Sequence, residues 1–208
     1  MKAGRREEKI NDLPAFPPSC ELSPGKLEHY LALSAERPAF ARLSWRMHPA
    51  INTRPAKRAD MPEVARFAAE LVRLHHALDP HRFLCLEPLE PGYERWLTSE
   101  LQNPDAAIVV AERDGAEPAL VGYAYGRLEP RDWNSLLDAC GALHDVYVAE
   151  PARRLRAGAI LLEAVIARLR ALGAPRVVLH TATQNAAAQR LFERFGFRRT
   201  MIEMTLEL

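Results

Sequence analysis

The chain has 208 residues, of which 48% are hydrophobic and 26% charged, and its formal net charge is +1. This balance is typical of a globular protein and argues against a nucleic acid partner. Three scattered cysteines form neither a disulfide framework nor a C-x-x-C zinc motif. The charged start differs from a signal peptide, and no uncharged apolar run approaches the roughly 20 residues of a membrane span. We therefore expect a cytoplasmic protein without membrane contact.

The first fifty residues differ in composition from the rest of the chain. They hold six of the sixteen prolines and open with a cluster of charges. Segments of this kind bury too little apolar surface to order fully. We predict a Pro-rich, partly ordered extension over residues 1–50 and a self-sufficient domain over residues 51–208.

From Ile51 the hydrophobic pattern becomes regular, with a strand period of two or a helical period of 3.6. The predicted elements are a strand at 51–57, helices at 60–78 and 92–102, strands at 106–114 and 119–129, a loop or short helix at 131–142, a strand at 143–148, a helix at 158–172, a strand at 175–182, a helix at 185–195 and a final strand at 197–208. Asp60 is the expected N-cap of the first helix. The strand at 175–182 is a continuous apolar run, which is typical of a fully buried strand.

The order of these elements predicts a mixed α/β fold. Residues 143–182 form a strand, a helix and a strand, so the two strands should be parallel with a right-handed connection. The hairpin upstream, with its turn at Asp114-Gly115, must be antiparallel. We predict a mostly antiparallel sheet with one parallel pair and helices on both faces. An exposed final strand would also favour a homodimer.

The turn between the strand at 143–148 and the helix at 158–172 is rich in arginine. Ligands of α/β sheets bind at the carboxyl ends of parallel strands, where free N–H groups of a helix N-terminus suit a phosphate. Arg153, Arg154 and Arg156 add positive charge, and Gly158 lets a ligand approach the backbone. The turn therefore predicts a pyrophosphate site, with a solvated basic turn as the alternative. The sequence contains neither a Walker loop nor a G-x-G-x-x-G fingerprint.

This turn, "YVAEPARRLRAGA", is followed after one strand by "NAAAQRLFERFGF", and together they resemble the GNAT superfamily of N-acetyltransferases. Arg153 and Gly158 match the family's V-x-P-x-x-[QR]-x-x-G-x-[GA] turn, which holds the pyrophosphate of acetyl-coenzyme A. The family's second motif, N-x-x-A-x-x-[LF]-[YF]-x-x-x-G-F, is matched in register by Asn185, Ala188, Leu191, Phe192, Gly196 and Phe197. The resemblance covers about three quarters of the chain.

The resemblance implies a GNAT-like fold and direct transfer of an acetyl group from acetyl-coenzyme A to a primary amine of a small molecule or protein, without a metal. Backbone amides around Tyr147 and Val148 would polarise the thioester, where the strand splays from its neighbour to receive the pantetheine arm. The implied cofactor contacts are Tyr147, Val148, Arg153, Arg154, Leu155, Arg156, Ala157, Gly158, Ala159, Asn185, Ala188 and Phe192.

Amine acylation needs a base, because an alkylammonium of pKa about 10 is not a nucleophile. Asp145 is the first candidate, since the resemblance places it where several relatives carry a water-linked carboxylate. Glu112 and Glu129 on neighbouring strands are reserves. Phe192 stands where many relatives carry a tyrosine that acts as general acid, so another group must protonate the thiolate. Tyr147 is our candidate, with Tyr123 and Tyr125 as alternatives.

Two departures from the family pattern favour a rival hypothesis, a catalytically weak protein that binds or senses acyl-coenzyme A. One departure is Phe192. The other is Arg156, which stands at the first glycine of the turn, where a positive φ would be costly for any other residue.

Two further groups of residues have suggestive chemistry but the wrong spacing for a site. Cys140, His144 and Asp145 have the chemistry of a thiol triad, but residues four apart do not meet on an extended strand. The histidine-rich segment 75–83 has poor spacing for a metal, and we expect His75 to be buried or to line a groove. The resemblance implies that this region after the first helix shapes the acceptor pocket.

Overall fold

The structure is a computed structural model that describes residues 50–115 and 119–208. These residues belong to the unit Met47–Leu208. The predicted extension lies outside the described residues but for Ala50, so the boundary at residue 50 stays a prediction.

Four α-helices and five strands make up the described fold. The elements are β1 (Ile51–Pro55), α1 (Met61–Leu78), α2 (Glu90–Glu100), β2 (Ala106–Arg113), β3 (Leu120–Glu129), β4 (Cys140–Val148), α3 (Ala157–Ala171), β5 (Val177–Leu179) and α4 (Ala186–Arg194). The strands form one sheet in the order β1-β2-β3-β4-β5. All neighbours are antiparallel except β4 and β5, which are parallel. The predicted mixed α/β fold is confirmed.

The sheet carries a separate apolar core on each face. On one face α3 buries a stripe at helical spacing, comprising Leu161, Leu162, Val165 and Leu169, and α4 packs there as well. On the other face α1 and α2 cover the tyrosines of β3 through Met61, Val64, Phe67 and Leu97. The strand β4 therefore lies between two helical layers, with the α3 and α4 side distinct from the α1 and α2 side.

The start of α1 differs from the prediction that Asp60 caps it. Asp60 precedes the helix, but its carboxylate makes no capping hydrogen bond. It accepts instead from the Arg54 guanidinium at 2.7 and 2.9 Å and from the Lys57 amide at 2.7 Å. Because Asp60 is buried, the charged partner on β1 satisfies it better than the helix amides do.

The end of the chain also differs from prediction. Residues 198–208 form no strand, and Ile202, Met204 and Leu206 are exposed. Consequently β5 pairs only with β4, spans three residues and is half-buried, so the prediction of a fully buried strand at 175–182 is wrong. The predicted homodimer loses the final strand on which it rested. In the described segments, each helix is too short or too polar to cross a membrane.

Candidate active site

A β-bulge in β4 shapes the centre of the site. Tyr125 pairs with Asp145 and Gly126 pairs with Leu143, so His144 is the extra residue on β4. Neighbours on a regular strand point to opposite faces, whereas the two residues of a bulge turn to the same side. His144 and Asp145 therefore both line one cavity, on the α1 and α2 side of the sheet.

Asp145 carries a carboxylate suited to accepting a proton. The buried Tyr123 donates its hydroxyl hydrogen to Oδ2 of Asp145 at 2.9 Å. Desolvation raises the pKa of Asp145 above its ordinary value, although the hydrogen bond from Tyr123 lowers it. Burial also raises the pKa of Tyr123, which keeps that hydroxyl protonated as a donor. A carboxylate whose pKa is raised is a stronger base than an exposed one.

An open cavity of about 300 Å³ lies beside this carboxylate. Its lining consists of Tyr93, Trp96, Tyr125, Arg127, Glu129, His144 and Asp145. Trp96 meets Tyr125 edge-on with ring centroids 5.2 Å apart, and Tyr125 stacks on His144 at 5.3 Å. Aromatic walls with a few convergent polar groups are typical of a small-molecule pocket.

Glu129 is the centre of an ion cluster within this cavity. Arg127 donates two hydrogen bonds to its carboxylate, at 2.7 and 3.0 Å, and Nε2 of His144 lies 3.2 Å from Oε1. Desolvation would raise the pKa of Glu129, but Arg127 and His144 together lower it. Glu129 is therefore a weaker base than Asp145. Glu112, the other reserve, pairs with Arg54 and does not line the cavity.

The arginine turn opens α3 with free donors. Ala159 and Ile160 donate to the Arg156 carbonyl, whereas the amides of Ala157 and Gly158 have no acceptor among the described residues. The Arg153 side chain donates from Nε to the Val148 carbonyl at 3.1 Å. Two free amides at a helix N-terminus beside exposed arginines fit a phosphate group.

The backbone of this turn is strained at two arginines. Arg154 has φ 69° and Arg156 has φ 64°, both in the left-handed region. A positive φ is costly at a non-glycine residue, and Arg156 nevertheless adopts it. Each such residue is destabilised by about 1–2 kcal/mol relative to a right-handed one. Strain of this kind often marks a binding site.

The strands β4 and β5 separate next to this turn. They pair only from Gly141–Val177 to Leu143–Leu179, so the rest of β4 has no partner on that edge among the described residues. A methyl group added at Gly158 would lie 3.4 Å from Leu191 and 3.7 Å from Val148. The start of α3, the end of β4 and α4 thus meet at one open edge, which fits an extended pantetheine arm.

The predicted residues of α4 have structural roles in the described contacts. The Asn185 side chain caps the helix by accepting from the Ala188 amide at 3.1 Å. Phe192 packs against the core on the α3 side and meets Phe197 with centroids 5.9 Å apart.

The ring of Tyr147, on β4, stacks on Phe67 with centroids 5.4 Å apart, on the same face of β4 as Asp145. The cofactor and catalytic roles of Tyr147 and of the α4 residues remain predictions.

The two groups of residues with suggestive chemistry do not assemble. Cys140 and His144 lie on the same extended strand, roughly 13 Å apart by strand rise. The Nδ1 atoms of His75 and His76 hydrogen-bond to backbone carbonyls, of Leu71 and Phe83. Within the described ranges, no cluster of three or more His, Cys, Asp or Glu side chains is arranged to hold a metal.

Three residues of the cavity wall, Tyr93, Trp96 and Arg127, are not among the site residues expected from the sequence, whereas Glu129 is expected there as a reserve base. Tyr93 and Trp96 lie three residues apart on α2, and Arg127 and Glu129 lie two apart on β3. Both spacings place the pair on one face. The period alone was therefore a usable signal for each pair, but only the sheet register shows that the two pairs meet.

Comparisons with known proteins assign this chain to a family. Residues 71–197, more than half of the chain, match the model of the Acetyltransferase (GNAT) family. A search of curated proteins gives no match. The chain belongs to the GNAT acetyltransferase family.

Solved structures share this fold. A tetramutant of a Bacillus halodurans protein aligns with a TM-score of 0.65 at 21% identity, over 76% of this chain and 99% of that one. Glucosamine-6-phosphate N-acetyltransferase from Arabidopsis thaliana aligns with a TM-score of 0.54 at 16% identity, over 76% and 98%. An aminoglycoside 6'-N-acetyltransferase from Acinetobacter haemolyticus aligns with a TM-score of 0.57 at 13% identity, over 76% and 97%. At these identities the likeness concerns the fold alone.

Proposed function

We propose that this protein is a cytoplasmic N-acetyltransferase that transfers an acetyl group from acetyl-coenzyme A directly to a primary amine. The observation that carries the proposal is the position of Asp145. Its partly desolvated carboxylate faces a cavity beside the stretch of β4 that has no β5 partner. The acceptor enters from the α1 and α2 side, and the thioester lies along the open edge of β4.

The cofactor is held chiefly by the arginine turn in this proposal. The amides of Ala157 and Gly158 donate to the pyrophosphate, and the exposed Arg153, Arg154 and Arg156 supply charge. On the open edge of β4, beside Tyr147, the amides of Val146 and Val148 donate to the pantetheine arm and to the thioester oxygen, whereas the Tyr147 amide faces β3. These donors stabilise the negative charge that develops on that oxygen. The remaining contacts come from Leu155, Ala159, Asn185, Ala188 and Phe192.

The reaction forms a C–N bond and breaks a C–S bond. Asp145 removes one proton from the incoming ammonium, which leaves a neutral amine. The nitrogen attacks the thioester carbon, and the tetrahedral intermediate collapses with loss of the sulfur as thiolate. The nitrogen releases its second proton to water, and the thiolate takes one proton from Tyr147 or directly from water. Water then reprotonates Tyr147 and removes the proton held by Asp145, so each turnover releases one proton to solvent. The products are an N-acetyl amide and free coenzyme A.

The proposal is tested first by calorimetric titration of acetyl-coenzyme A, with ATP and NAD as controls. Micromolar binding that is specific to acetyl-coenzyme A supports the cofactor site, and thiol release with an amine panel then tests transfer. Absence of binding would contradict the proposal. The double variant Arg153→Ala/Arg154→Ala should weaken binding while leaving the fold intact.

A second candidate is a catalytically weak acyl-coenzyme A sensor. Phe192, which has no proton to donate, and the strained turn at Arg154 and Arg156 favour it. This candidate predicts tight binding of acetyl-coenzyme A without turnover on any amine. The variant Phe192→Tyr separates the two, because a large gain in thiol release would mean that wild type lacks only the acid.

A further inference from the structure

We propose that the acceptor is an arylalkylamine, a primary amine on an uncharged aromatic body without a carboxylate or phosphate. This inference rests on the proposed function and names the substrate class of the same cavity. Three properties of the cavity wall carry it: the aromatic surface, the free carboxylate oxygen and the paired state of its cations.

The aromatic surface is continuous and open to the cavity. Tyr93 meets Trp96 at 5.8 Å and 72°, and Trp96 meets Tyr125 at 5.2 Å and 84°. These rings are nearly perpendicular and form a corner, and Trp96, which lines the cavity, is 40% exposed. A flat apolar group that enters the corner finds both edge-to-face and stacked contacts. A cavity of about 300 Å³ accommodates one ring and a short alkyl chain.

The carboxylate of Asp145 provides the position for the ammonium. Tyr123 donates to its Oδ2, while no described residue donates to Oδ1. An ammonium that donates to Oδ1 is therefore held at the proton acceptor of the proposed reaction.

The basic side chains of the cavity wall, Arg127 and His144, are both paired with Glu129. Arg127 forms a bidentate pair with Glu129, and His144 contacts the same carboxylate. A substrate carboxylate or phosphate would meet no unpaired cation on this wall and would lie close to Glu129 and Asp145. Like charges brought together in this way oppose binding. The wall thus selects against amino acids and sugar phosphates.

A matched set of acceptors tests the class. We expect 2-phenylethylamine to exceed L-phenylalanine, which differs only by a carboxylate, by roughly a hundredfold in kcat/KM. It should exceed ethylamine, which lacks the ring, by at least about tenfold. Binding of each amine is also measured by calorimetry with and without coenzyme A, so the ranking is obtained even if no turnover occurs.

Variants assign the effect to named residues. Trp96→Ala should weaken 2-phenylethylamine binding by about tenfold and leave acetyl-coenzyme A binding unchanged. Trp133→Ala is the matched control, because Trp133 is exposed in the 131–138 loop and lies outside this cavity. Glu129→Gln releases Arg127 from its ion pair. The affinity for L-phenylalanine, measured relative to that for 2-phenylethylamine, should therefore improve at least about tenfold.

The outcomes are separable from those of the proposed function. Equal or better binding of L-phenylalanine, or equal effects of the two tryptophan variants, overturns the substrate class even if acetyl transfer is observed. Preferred binding of 2-phenylethylamine without turnover supports the class and contradicts the acetyl transfer. Absence of 2-phenylethylamine binding, with acetyl-coenzyme A bound and another amine acetylated, also overturns the class.

Discussion

Single residues at this site are adapted to chemistry at the expense of stability. Asp145 is desolvated, and two residues of the arginine turn have positive φ. Each feature is unfavourable for folding and useful for a proposed step. Substitutions at these positions should therefore separate stability from activity.

The first prediction concerns Asp145→Asn. The pKa of Asp145 is raised in the folded state, so folding favours the protonated form, and this residue's contribution to stability falls as pH rises through the raised pKa. Asn removes that penalty, so the variant should be more stable than wild type at pH 7 and closer to it at low pH. Urea denaturation at several pH values measures this difference.

The same variant should lose most acetyl transfer, since Asn accepts no proton. In wild type, kcat/KM should fall on the acidic side as Asp145 becomes protonated, and the variant's residual activity should lack this limb. A variant that keeps both rate and pH profile would contradict the role of Asp145 as base.

A second prediction concerns backbone strain at Arg156. Arg156→Gly and Arg156→Ala both remove the guanidinium, but only Gly accommodates φ 64° without strain. We expect the Gly variant to be more stable than the Ala variant by roughly 0.5–1 kcal/mol, because relief of strain exceeds the extra entropy of Gly in the unfolded chain. Thermal unfolding of the pair provides the comparison, and equal stabilities would refute it.

At the scale of elements, the site depends on the bulge that places His144 and Asp145 on one side. Gly126 pairs with Leu143 across this irregularity. A Cβ at Gly126 would lie 2.8 Å from the Ala142 carbonyl oxygen and 3.1 Å from Leu169. Only glycine permits the two strands to approach this closely.

The third prediction is that Gly126→Ala moves β4. We expect a destabilisation of roughly 1–3 kcal/mol, since the overlap is with backbone, and a loss of amine binding in the cavity. Gly92→Ala is the matched control, because no atom lies within 4 Å of the added methyl group. In α2 the control should be neutral or stabilising by up to about 1 kcal/mol. Melting temperatures and amine titrations of both variants test this prediction. Equal stability and equal amine affinity of the two variants would exclude a special role for the bulge.

At the scale of the whole molecule, the sheet separates two sites. The arginine turn and α4 lie with the α3 core, whereas the aromatic cavity lies with α1 and α2. Asp145 lies on the cavity side of β4, upstream of the stretch at Tyr147 and Val148 that has no β5 partner. Cofactor and acceptor affinities should therefore vary independently.

The fourth prediction uses this independence. Arg154→Ala should weaken acetyl-coenzyme A binding by about tenfold and leave amine binding unchanged, and Trp96→Ala should do the reverse. Because the two residues share no contact in the structure, the double variant should be additive within about 0.5 kcal/mol. Calorimetry on wild type, the two single variants and the double variant completes the double-mutant cycle. A larger coupling energy would mean that the sites communicate through β4.

The sequence predicted the order of elements and the mixed sheet because both follow from local periodicity. It failed at the end of the chain, where alternation at 197–208 predicts a strand that finds no partner in the structure. A period of two shows that a segment is compatible with a sheet, but pairing requires a neighbouring edge in register. The half-buried β5 is the consequence of that missing neighbour.

What the sequence determined by itself was the family resemblance and the arginine turn, since both depend on residue types at short spacing, and the resemblance in turn implied Asp145 as a candidate base. The tertiary structure decided which side chains meet. The bulge at His144 reverses the alternation on which any single-strand interpretation depends, and only the β3–β4 register reveals it. The pairing of Arg127 with Glu129 leaves the cavity without a free cation on its described wall. The composition of this cavity wall depends on contacts between α2, β3 and β4. These elements are distant in sequence, so local sequence patterns do not predict the contacts.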